Sequence, residues 1–266
     1  MSNPSLGTAL ITGASSGIGE VYADRLAKRG YDLILVARNV ERLTALATRL
    51  STETGRKVET ISAELGNAAD RKVVEARLRD DAAITLFVNN AGVILGGGPL
   101  AQANVDELET MLDINVTALT RLAAAAAAGF AQRKRGIIVN LSSLLALLDT
   151  PQTAAYGATK AYVLSFTHSL DLELAPQGVQ VQAVLPGYTR TPMIGNGAGI
   201  PDEQIMEVED LVDAALAGMD NKELVTIPAQ HGDSDYARVV EARTKLLSGL
   251  VANRPASRYG VTSIAA

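Results

Sequence analysis

A glycine-rich turn near the amino terminus constrains the fold more than any other stretch of the sequence. The apolar run Leu6–Thr12 leads into Gly13–Glu20, which reads Gly-Ala-Ser-Ser-Gly-Ile-Gly-Glu, and a helical pattern follows. A strand that passes through such a turn into a helix directs backbone N–H groups and the positive end of the helix dipole at a phosphate. The turn therefore predicts a parallel α/β sheet with a phosphate-bearing ligand at the carboxyl end of its first strand.

The glycines of this turn have separate steric roles. Gly13 permits the tight turn, Gly17 lets a pyrophosphate approach the backbone, and Gly19 lets the helix pack on the strand. Two serine hydroxyl groups add hydrogen-bond donors. The positions that we expect to bind the ligand are Gly13, Ser15, Ser16, Gly17, Ile18 and Gly19.

The same turn also fits a pattern from a different class of enzyme. Gly13–Gly17 matches the Gly-x-Ser-x-Gly elbow that carries the nucleophile of a serine hydrolase, again between a strand and a helix. That function requires an acid and a histidine later in the chain, and of the two histidines only His231 would be well placed. A serine hydrolase therefore stays open as an alternative.

Short apolar strands alternate with helical stretches along most of the chain. This alternation predicts right-handed crossovers and a Rossmann-type, doubly wound, seven-stranded parallel sheet with helices on both faces. We expect a single domain over residues 1–266, in which residues 233–266 form a C-terminal helical extension. The expected strands are Leu6–Thr12, Asp32–Val36, Val58–Ile61, Leu86–Val88, Gly136–Leu141, Val179–Leu185 and Leu224–Pro228.

The composition narrows the classes of partner. The formal net charge of −5 argues against nucleic acid or an anionic membrane as the main partner. Cysteine is absent, and the two histidines, His168 and His231, lack ligand spacing, so we expect no metal site. We expect no apolar run of membrane-spanning length, and Met1–Pro4 is no signal sequence, so a cytoplasmic location is the expectation.

The exit of the second strand indicates which dinucleotide binds. An acidic residue about twenty positions after the glycines would hold the ribose 2′-hydroxyl of NAD. Here Ala37 stands at that place and Arg38 follows it. A carboxylate would repel a 2′-phosphate, whereas a guanidinium can pair with it. Arg38 therefore favours NADP(H) over NAD(H).

Tyr156 and Lys160 suit proton transfer. Positions four apart on a helix share one face, so the phenol and the ammonium can project to the same side. A phenol with its ordinary pKa near roughly 10 is a poor acid or base at neutral pH. A neighbouring lysine cation is expected to lower that pKa toward the working range.

Three motifs in order carry a resemblance to a known family. The glycine turn, Asn89–Gly92 after the fourth strand (Asn-Asn-Ala-Gly), and Tyr156–Lys160 (Tyr-x-x-x-Lys) together resemble the short-chain dehydrogenase/reductase family over residues 6–228. The resemblance implies hydride transfer between a nicotinamide and a carbonyl or secondary alcohol. It also implies a homodimer or homotetramer formed through helices at 105–133 and 152–175.

The resemblance assigns catalytic roles to Asn115, Ser143, Tyr156 and Lys160. Ser143 lies thirteen residues before Tyr156, the family's spacing, and its hydroxyl would hold the substrate oxygen. No histidine is placed to activate it, so it is a hydrogen-bond donor and not a nucleophile. Tyr156 would be the general acid in reduction and the general base in oxidation. Lys160 would bind the ribose hydroxyls, and Asn115 would hold a water in the proton path.

The resemblance also implies which residues contact the cofactor and the substrate. Pro186–Met193 is similar to the family's Pro-Gly turn over the nicotinamide, and Glu64 replaces the Asp that usually reaches the adenine. The further cofactor contacts are expected at Arg38, Glu64, Leu65, Asn90, Tyr156, Lys160, Thr189 and Thr191. The substrate pocket is expected at Ser143, Leu145, Tyr188 and Met193. Its apolar walls favour a hydrophobic ketone or aldehyde.

Our expectation is therefore an NADP(H)-dependent oxidoreductase acting on a small-molecule carbonyl or alcohol. A 3-oxoacyl-carrier-protein reductase is the alternative within that class, and it would require a basic patch near the mouth of the site. A non-catalytic NADP(H)-binding sensor, which would usually lack part of the catalytic set, is an alternative from another class. Residues 196–201 resemble a substrate lid, and an amphipathic helix over 233–250 is expected to cover the substrate mouth or to pack on a partner subunit.

Overall fold

Seven short aliphatic strands build one parallel sheet in the order β3-β2-β1-β4-β5-β6-β7. The structure is a computed structural model and describes residues 6–195, 199–232, 234–248 and 255–260. The strands are β1 Thr8–Thr12, β2 Asp32–Ala37, β3 Val58–Ser62, β4 Ile84–Asn89, β5 Gly136–Leu141, β6 Val179–Val184 and β7 Val225–Thr226. The direction of the winding reverses between β1 and β4, which is where such sheets bind their ligands. The predicted Rossmann-type sheet is confirmed.

Eight α-helices are described, and several begin at an asparagine cap. They are α1 Gly17–Arg29, α2 Val40–Thr54, α3 Ala68–Asp80, α4 Val105–Leu112, α5 Leu119–Arg133, α6 Ala154–Leu174, α7 Val208–Asp220 and α8 Ser234–Ser248. The side chains of Asn39, Asn67 and Asn104 accept hydrogen bonds from backbone N–H groups in the first turns of α2, α3 and α4. These caps satisfy donors that a helix start otherwise leaves unpaired.

The sheet separates two hydrophobic layers. Successive side chains of a strand point to opposite faces, so Ile11 packs with α1, α2 and α7, whereas Leu10 packs with α3, α5 and α6. Both side chains are fully buried. Helices therefore cover both faces, and the open carboxyl edge of the strands is left for the site.

The edges of the predicted strands differ from those observed. The first strand begins at Thr8 rather than Leu6, and the seventh is only Val225–Thr226 instead of Leu224–Pro228. β7 lies at the end of the sheet and pairs only with β6 along two residues. The number of paired residues depends on the neighbouring strand, and the local apolar pattern carries no information about that strand.

A π-helical segment, Asp113–Ala118, interrupts the helix that joins α4 to α5. The sequence predicted an ordinary helix here. One length of helix, Val105–Arg133, is long and apolar enough to cross a membrane by composition alone, so the expectation that no such run exists is wrong. Half of an apolar 18-residue stretch within it is buried inside the fold, as expected for a core helix.

The chain divides into two compact units, Met1–Pro228 and Ala229–Ala266. The first contains the whole sheet. The described part of the second contains α8 and a short 3₁₀ turn, Ser257–Tyr259. The predicted helix over 233–250 is therefore present within the described residues, while positions 233, 249 and 250 lie outside them, as do residues 196–198 of the expected lid. The assignment of the whole chain to a single domain stays a prediction.

Candidate active site

The carboxyl ends of β1 to β4 surround a cleft of about 460 Å³. Most of the positions predicted to bind a cofactor line this cleft. They are Gly13, Ser15, Ser16, Gly17, Ile18, Arg38, Glu64, Leu65, Asn90 and Thr191, together with Met193 from the predicted substrate pocket. Its lining combines small residues of the glycine turn, charged residues after β2 and β3, and apolar residues after β4.

The glycine turn shapes one wall of the cleft. Gly13 and Gly17 have φ values of +65° and +57°, which side chains other than hydrogen rarely tolerate. A Cβ on Gly19 would overlap the carbonyl oxygen of Gly13 and lie 2.7 Å from Nδ2 of Asn90. Ser16 caps α1 in an extended conformation without a side-chain cap hydrogen bond. Backbone and helix terminus thus fit the pyrophosphate of a dinucleotide.

Asn90 braces this turn from β4. Its backbone N–H donates to Oγ1 of Thr12 at 3.0 Å, and its side-chain Nδ2 donates to the Thr12 carbonyl at 2.9 Å. Ala91 adds a second backbone bond to the same hydroxyl at 3.1 Å. The predicted cofactor residue Asn90 therefore lines the cleft and also holds the end of β1 against the end of β4.

Two charged side chains meet at the ends of β2 and β3. Nη1 of Arg38 donates to Oε2 of Glu64 at 3.0 Å. The sequence predicted that Arg38 would face a phosphate and Glu64 an adenine, and it did not predict that they would pair with each other. A second arginine, Arg42 in the first turn of α2, also lines the cleft.

Asn115 lies in the π-helical segment and is 1% exposed. Its Oδ1 accepts from the Val93 N–H at 2.9 Å, and its Nδ2 donates to the Val93 carbonyl at 2.9 Å and to Oγ1 of Thr159 at 3.3 Å. The amide therefore ties the loop after β4 to α6. Single-turn π segments frequently occur at functional sites, because the extra residue redirects a side chain.

The first turns of α6 carry Tyr156 and Lys160 at the carboxyl edge of β5. Nζ of Lys160 donates to the Leu141 carbonyl at 3.0 Å and lies 5.6 Å from the centre of the Tyr156 ring. Oγ of Ser142 donates to the Lys160 carbonyl at 2.8 Å, which fixes the helix on the strand end. The Lys160 side chain is nearly enclosed, with 5% of the residue exposed.

Ser143 follows β5 and starts a short 3₁₀ turn. Its Oγ accepts from the Leu145 N–H at 3.1 Å and donates to the Pro186 carbonyl at 3.5 Å. Burial raises the pKa of the Tyr156 phenol, and hydrogen bonding with Ser143 opposes that rise. The serine selected by its spacing is therefore the one beside the tyrosine, whereas Ser142 is buried and bonded to backbone.

Burial dominates the titration of the two catalytic groups on α6. It raises the pKa of Tyr156 to about 12, against the lowering contribution of Ser143. It lowers the pKa of Lys160 to about 8. The expectation that Lys160 lowers the phenol pKa is wrong for this geometry, because burial raises that pKa and the opposing contribution comes from Ser143. The phenol is thus set up as a proton donor at neutral pH.

Apolar side chains rim the edge of the sheet around Ser143 and Tyr156. Tyr188 and Met193 are about half exposed, and Leu145 is partly buried. Three more large apolar residues stand exposed on the loops after β4 and β5, namely Ile94, Leu147 and Leu148. Exposed apolar side chains therefore follow the ends of β4, β5 and β6.

The turn after β6 separates the two predicted threonines. The side chain of Thr191 lies against the glycine turn, where a Cβ on Gly17 would be 3.3 Å from its Cγ2. Thr189 is buried, its hydroxyl donates to the Gly187 carbonyl at 3.1 Å, and it does not line the cleft. Any contact from Thr189 to a ligand would therefore involve its backbone, as the resemblance implied.

Several residues that line the cleft were not predicted to contact a ligand. They are Val36, Asn39, Arg42, Ala63, Val93 and Ile114, together with Ala37, Ala91, Gly92 and Pro192 from segments that the sequence analysis had already singled out. Arg42 could have been predicted from the sequence, because Asn39 follows the second strand as a helix cap and places Arg42 in the first turn of α2. The structure shows this cap, in which Oδ1 of Asn39 accepts from the Arg42 N–H. The apolar residues carried no separate signal, because apolar side chains at strand ends are equally common in a core.

The fold and this arrangement define a dinucleotide-binding oxidoreductase of the α/β class. The short chain dehydrogenase family matches residues 7–198, and the chain belongs to that family. An uncharacterized oxidoreductase of Staphylococcus epidermidis is 34% identical over 211 residues, which cover 78% of this chain and 88% of the relative.

Two solved structures are similar over nearly the whole chain. A short-chain dehydrogenase from Sphingobium yanoikuyae in complex with NADPH has 49% identity and a TM-score of 0.91, covering 96% of this chain and 100% of the other. A bulky-bulky ketone specific alcohol dehydrogenase from Comamonas testosteroni has 45% identity and a TM-score of 0.89, covering 96% and 98%. Family membership argues against the serine hydrolase alternative, since Ser15 lies in the glycine turn of the cleft.

Proposed function

We propose that this chain is an NADP(H)-dependent oxidoreductase that interconverts bulky hydrophobic ketones and secondary alcohols. The observation that carries the proposal is the meeting of Ser143, Tyr156 and Lys160 beside a cleft that the glycine turn lines. A nicotinamide dinucleotide supplies or accepts the hydride when bound. The chain's own residues then have to bind the substrate oxygen and move one proton.

The proton step follows from the pKa values at the site. Because the pKa of Tyr156 is about 12, the phenol is protonated at neutral pH and can donate its proton to a carbonyl oxygen during reduction. Ser143, which already interacts with the phenol, holds that oxygen by a second hydrogen bond. The charge on Lys160 stabilises the phenolate that forms. Oxidation needs the deprotonated phenol, so we expect it to require more alkaline conditions.

The charges at the carboxyl end of β2 favour NADP(H). Ala37 leaves no carboxylate at the end of the strand, and Arg38 and Arg42 both line the cleft there. Two guanidinium groups favour a ligand with an additional phosphate. The NADPH in the complex of the Sphingobium protein supports the same choice.

The exposed apolar side chains favour a substrate with bulky groups. Ile94, Leu147, Leu148, Tyr188 and Met193 are exposed at the ends of three neighbouring strands. Hydrophobic groups on both sides of a ketone could be buried against them, with a gain of about 25 cal/mol per Å² of apolar area. The similarity to a bulky-bulky ketone specific alcohol dehydrogenase supports this class of substrate. Cytoplasmic location and a homodimer or homotetramer belong to the same proposal.

The test is a cofactor titration followed by a substrate panel. We expect the purified protein to bind NADPH more tightly than NADH and to oxidise NADPH faster with diaryl or aryl-alkyl ketones than with short aliphatic ketones. Arg38→Asp should reverse the cofactor preference. Equal preference in Arg38→Asp and in the parent protein would contradict the NADP(H) assignment. Faster reduction of 3-oxoacyl thioesters would favour the acyl reductase, and tight NADPH binding without turnover would favour the sensor.

A further inference from the structure

The ion pair between Arg38 and Glu64 lines the cleft after β2 and β3, and it includes the arginine that we expect to bind the 2′-phosphate of NADP(H). Nη1 of Arg38 and Oε2 of Glu64 are 3.0 Å apart, and their side chains are 66% and 42% exposed. Both residues line the cleft. A guanidinium that is already paired with a carboxylate has fewer donors left for a phosphate.

The backbone around Glu64 holds its carboxylate at this place. The Glu64 N–H donates to Oδ2 of Asp70 at 2.9 Å, and its Oε1 accepts from the Gly66 N–H at 3.5 Å. The Ala63 N–H donates to the Ala37 carbonyl at 3.1 Å, which keeps the ends of β2 and β3 together. These bonds fix the backbone of Glu64 at the end of β3, and the Gly66 N–H gives its carboxylate a partner besides Arg38.

Arg42 has no such counter-ion among the described residues, although it lines the same part of the cleft. The two arginines therefore differ. Arg42 can bind a phosphate directly, whereas Arg38 must first leave a carboxylate. A dianionic phosphate beside Glu64 also experiences repulsion from that carboxylate.

We propose that Glu64 is a cofactor-specificity residue, an internal anion that competes with the 2′-phosphate for Arg38 and so reduces the discrimination between NADPH and NADH. The inference rests on the proposed NADP(H) function and states how far that preference extends. Glu64 weakens binding of the phosphorylated dinucleotide and has little effect on the unphosphorylated one. The parent protein consequently accepts NADH to a measurable degree.

The test uses Glu64→Gln, which keeps the shape of the side chain and removes its charge. Glu41→Gln is the matched control, because Glu41 is an exposed acid in the first turn of α2 that does not line the cleft. Dissociation constants are measured by titration for NADPH, NADH, adenosine 2′,5′-bisphosphate and 5′-AMP at low and high salt. No turnover is needed, so the readout does not depend on the substrate.

We expect Glu64→Gln to tighten binding of both 2′-phosphorylated ligands by roughly threefold to fivefold at low salt, as for an exposed ion pair, and less at high salt. Binding of NADH and 5′-AMP should change less than about twofold on the same grounds. Weaker binding of the bisphosphate by Glu64→Gln, or an equal gain in Glu41→Gln, would overturn the proposal.

A double variant isolates the ion pair. In an Arg38→Gln background the gain from Glu64→Gln should shrink, because no guanidinium remains to be released. A gain of the same size with and without Arg38 would overturn the competition for Arg38. Failure of the proposed function is distinguished by the parent protein itself. If the parent binds NADH more tightly than NADPH, the NADP(H) assignment is contradicted before any variant is compared.

Discussion

Asn115 connects three parts of the active site, so its removal tests how that site is held together. Its amide makes two bonds of 2.9 Å with the backbone of Val93 and one of 3.3 Å with Thr159. The residue is 1% exposed, so alanine would leave the two Val93 groups without these partners. At about 1 kcal/mol per hydrogen bond, with some penalty for unpaired groups, Asn115→Ala should lower the free energy of unfolding by about 2–4 kcal/mol.

The assay combines thermal unfolding with ketone reduction. For a chain of this size the loss should lower Tm by roughly 4–16 °C, and kcat should fall because the π segment no longer anchors the loop after β4 and the start of α6. Asn104→Ala is the control: this exposed cap makes one bond, of 3.0 Å, to the Asp106 N–H, and its loss should cost about 1 kcal/mol without changing kcat. An Asn115→Ala protein that matches the control in Tm and keeps its kcat would show that this amide does not hold the site together.

Three further predictions concern single side chains. The Tyr22 hydroxyl is buried without a hydrogen-bond partner among the described residues, so Tyr22→Phe should raise the free energy of unfolding by about 1 kcal/mol, and a lower denaturant midpoint would contradict this. Burial lowers the pKa of Lys160 to about 8, so its charge is present below that pH and lost above it. In the reduction reaction, kcat/KM for NADPH should therefore fall above pH 8. Lys160→Arg should be slower but should show no such fall in the measurable pH range, because a guanidinium stays charged. A fall that persists unchanged would assign it to another group. Gly19→Ala places a Cβ 2.7 Å from Nδ2 of Asn90, so it should weaken NADPH binding and lower stability by about 1–3 kcal/mol; unchanged titration and Tm would show that the turn can relax.

The strands, helices and glycine turn were predictable because their signals are local. An apolar run followed by Gly13 and Gly17 reports a strand and a tight turn whatever the rest of the chain does, and the observed φ values at both glycines agree. Strand edges were less predictable. The length of β7 depends on where β6 offers a partner, which is a property of the assembled sheet.

In the candidate site, too, some features could be predicted from the sequence and others could not. Ser143, Tyr156 and Lys160 were found by spacing along the chain, because a strand end and a helix face fix their positions. The Arg38–Glu64 ion pair joins two residues 26 positions apart through side chains on neighbouring strand ends, and neither residue carries a local signal of the other. The pKa of Tyr156 was also beyond the sequence, because burial depends on packing around α6.

The most direct test of the central claim is Tyr156→Phe, assayed for NADPH binding and for ketone reduction. Tyr162→Phe on the same helix is the matched control, since that hydroxyl contacts Thr120 at 2.8 Å and is remote from the proton step. We predict that Tyr156→Phe loses roughly 10²–10⁴-fold in kcat/KM for the ketone, whereas its NADPH affinity and the activity of the control stay close to those of the parent protein. Turnover at the parent rate in Tyr156→Phe would contradict the role of this phenol as the proton donor.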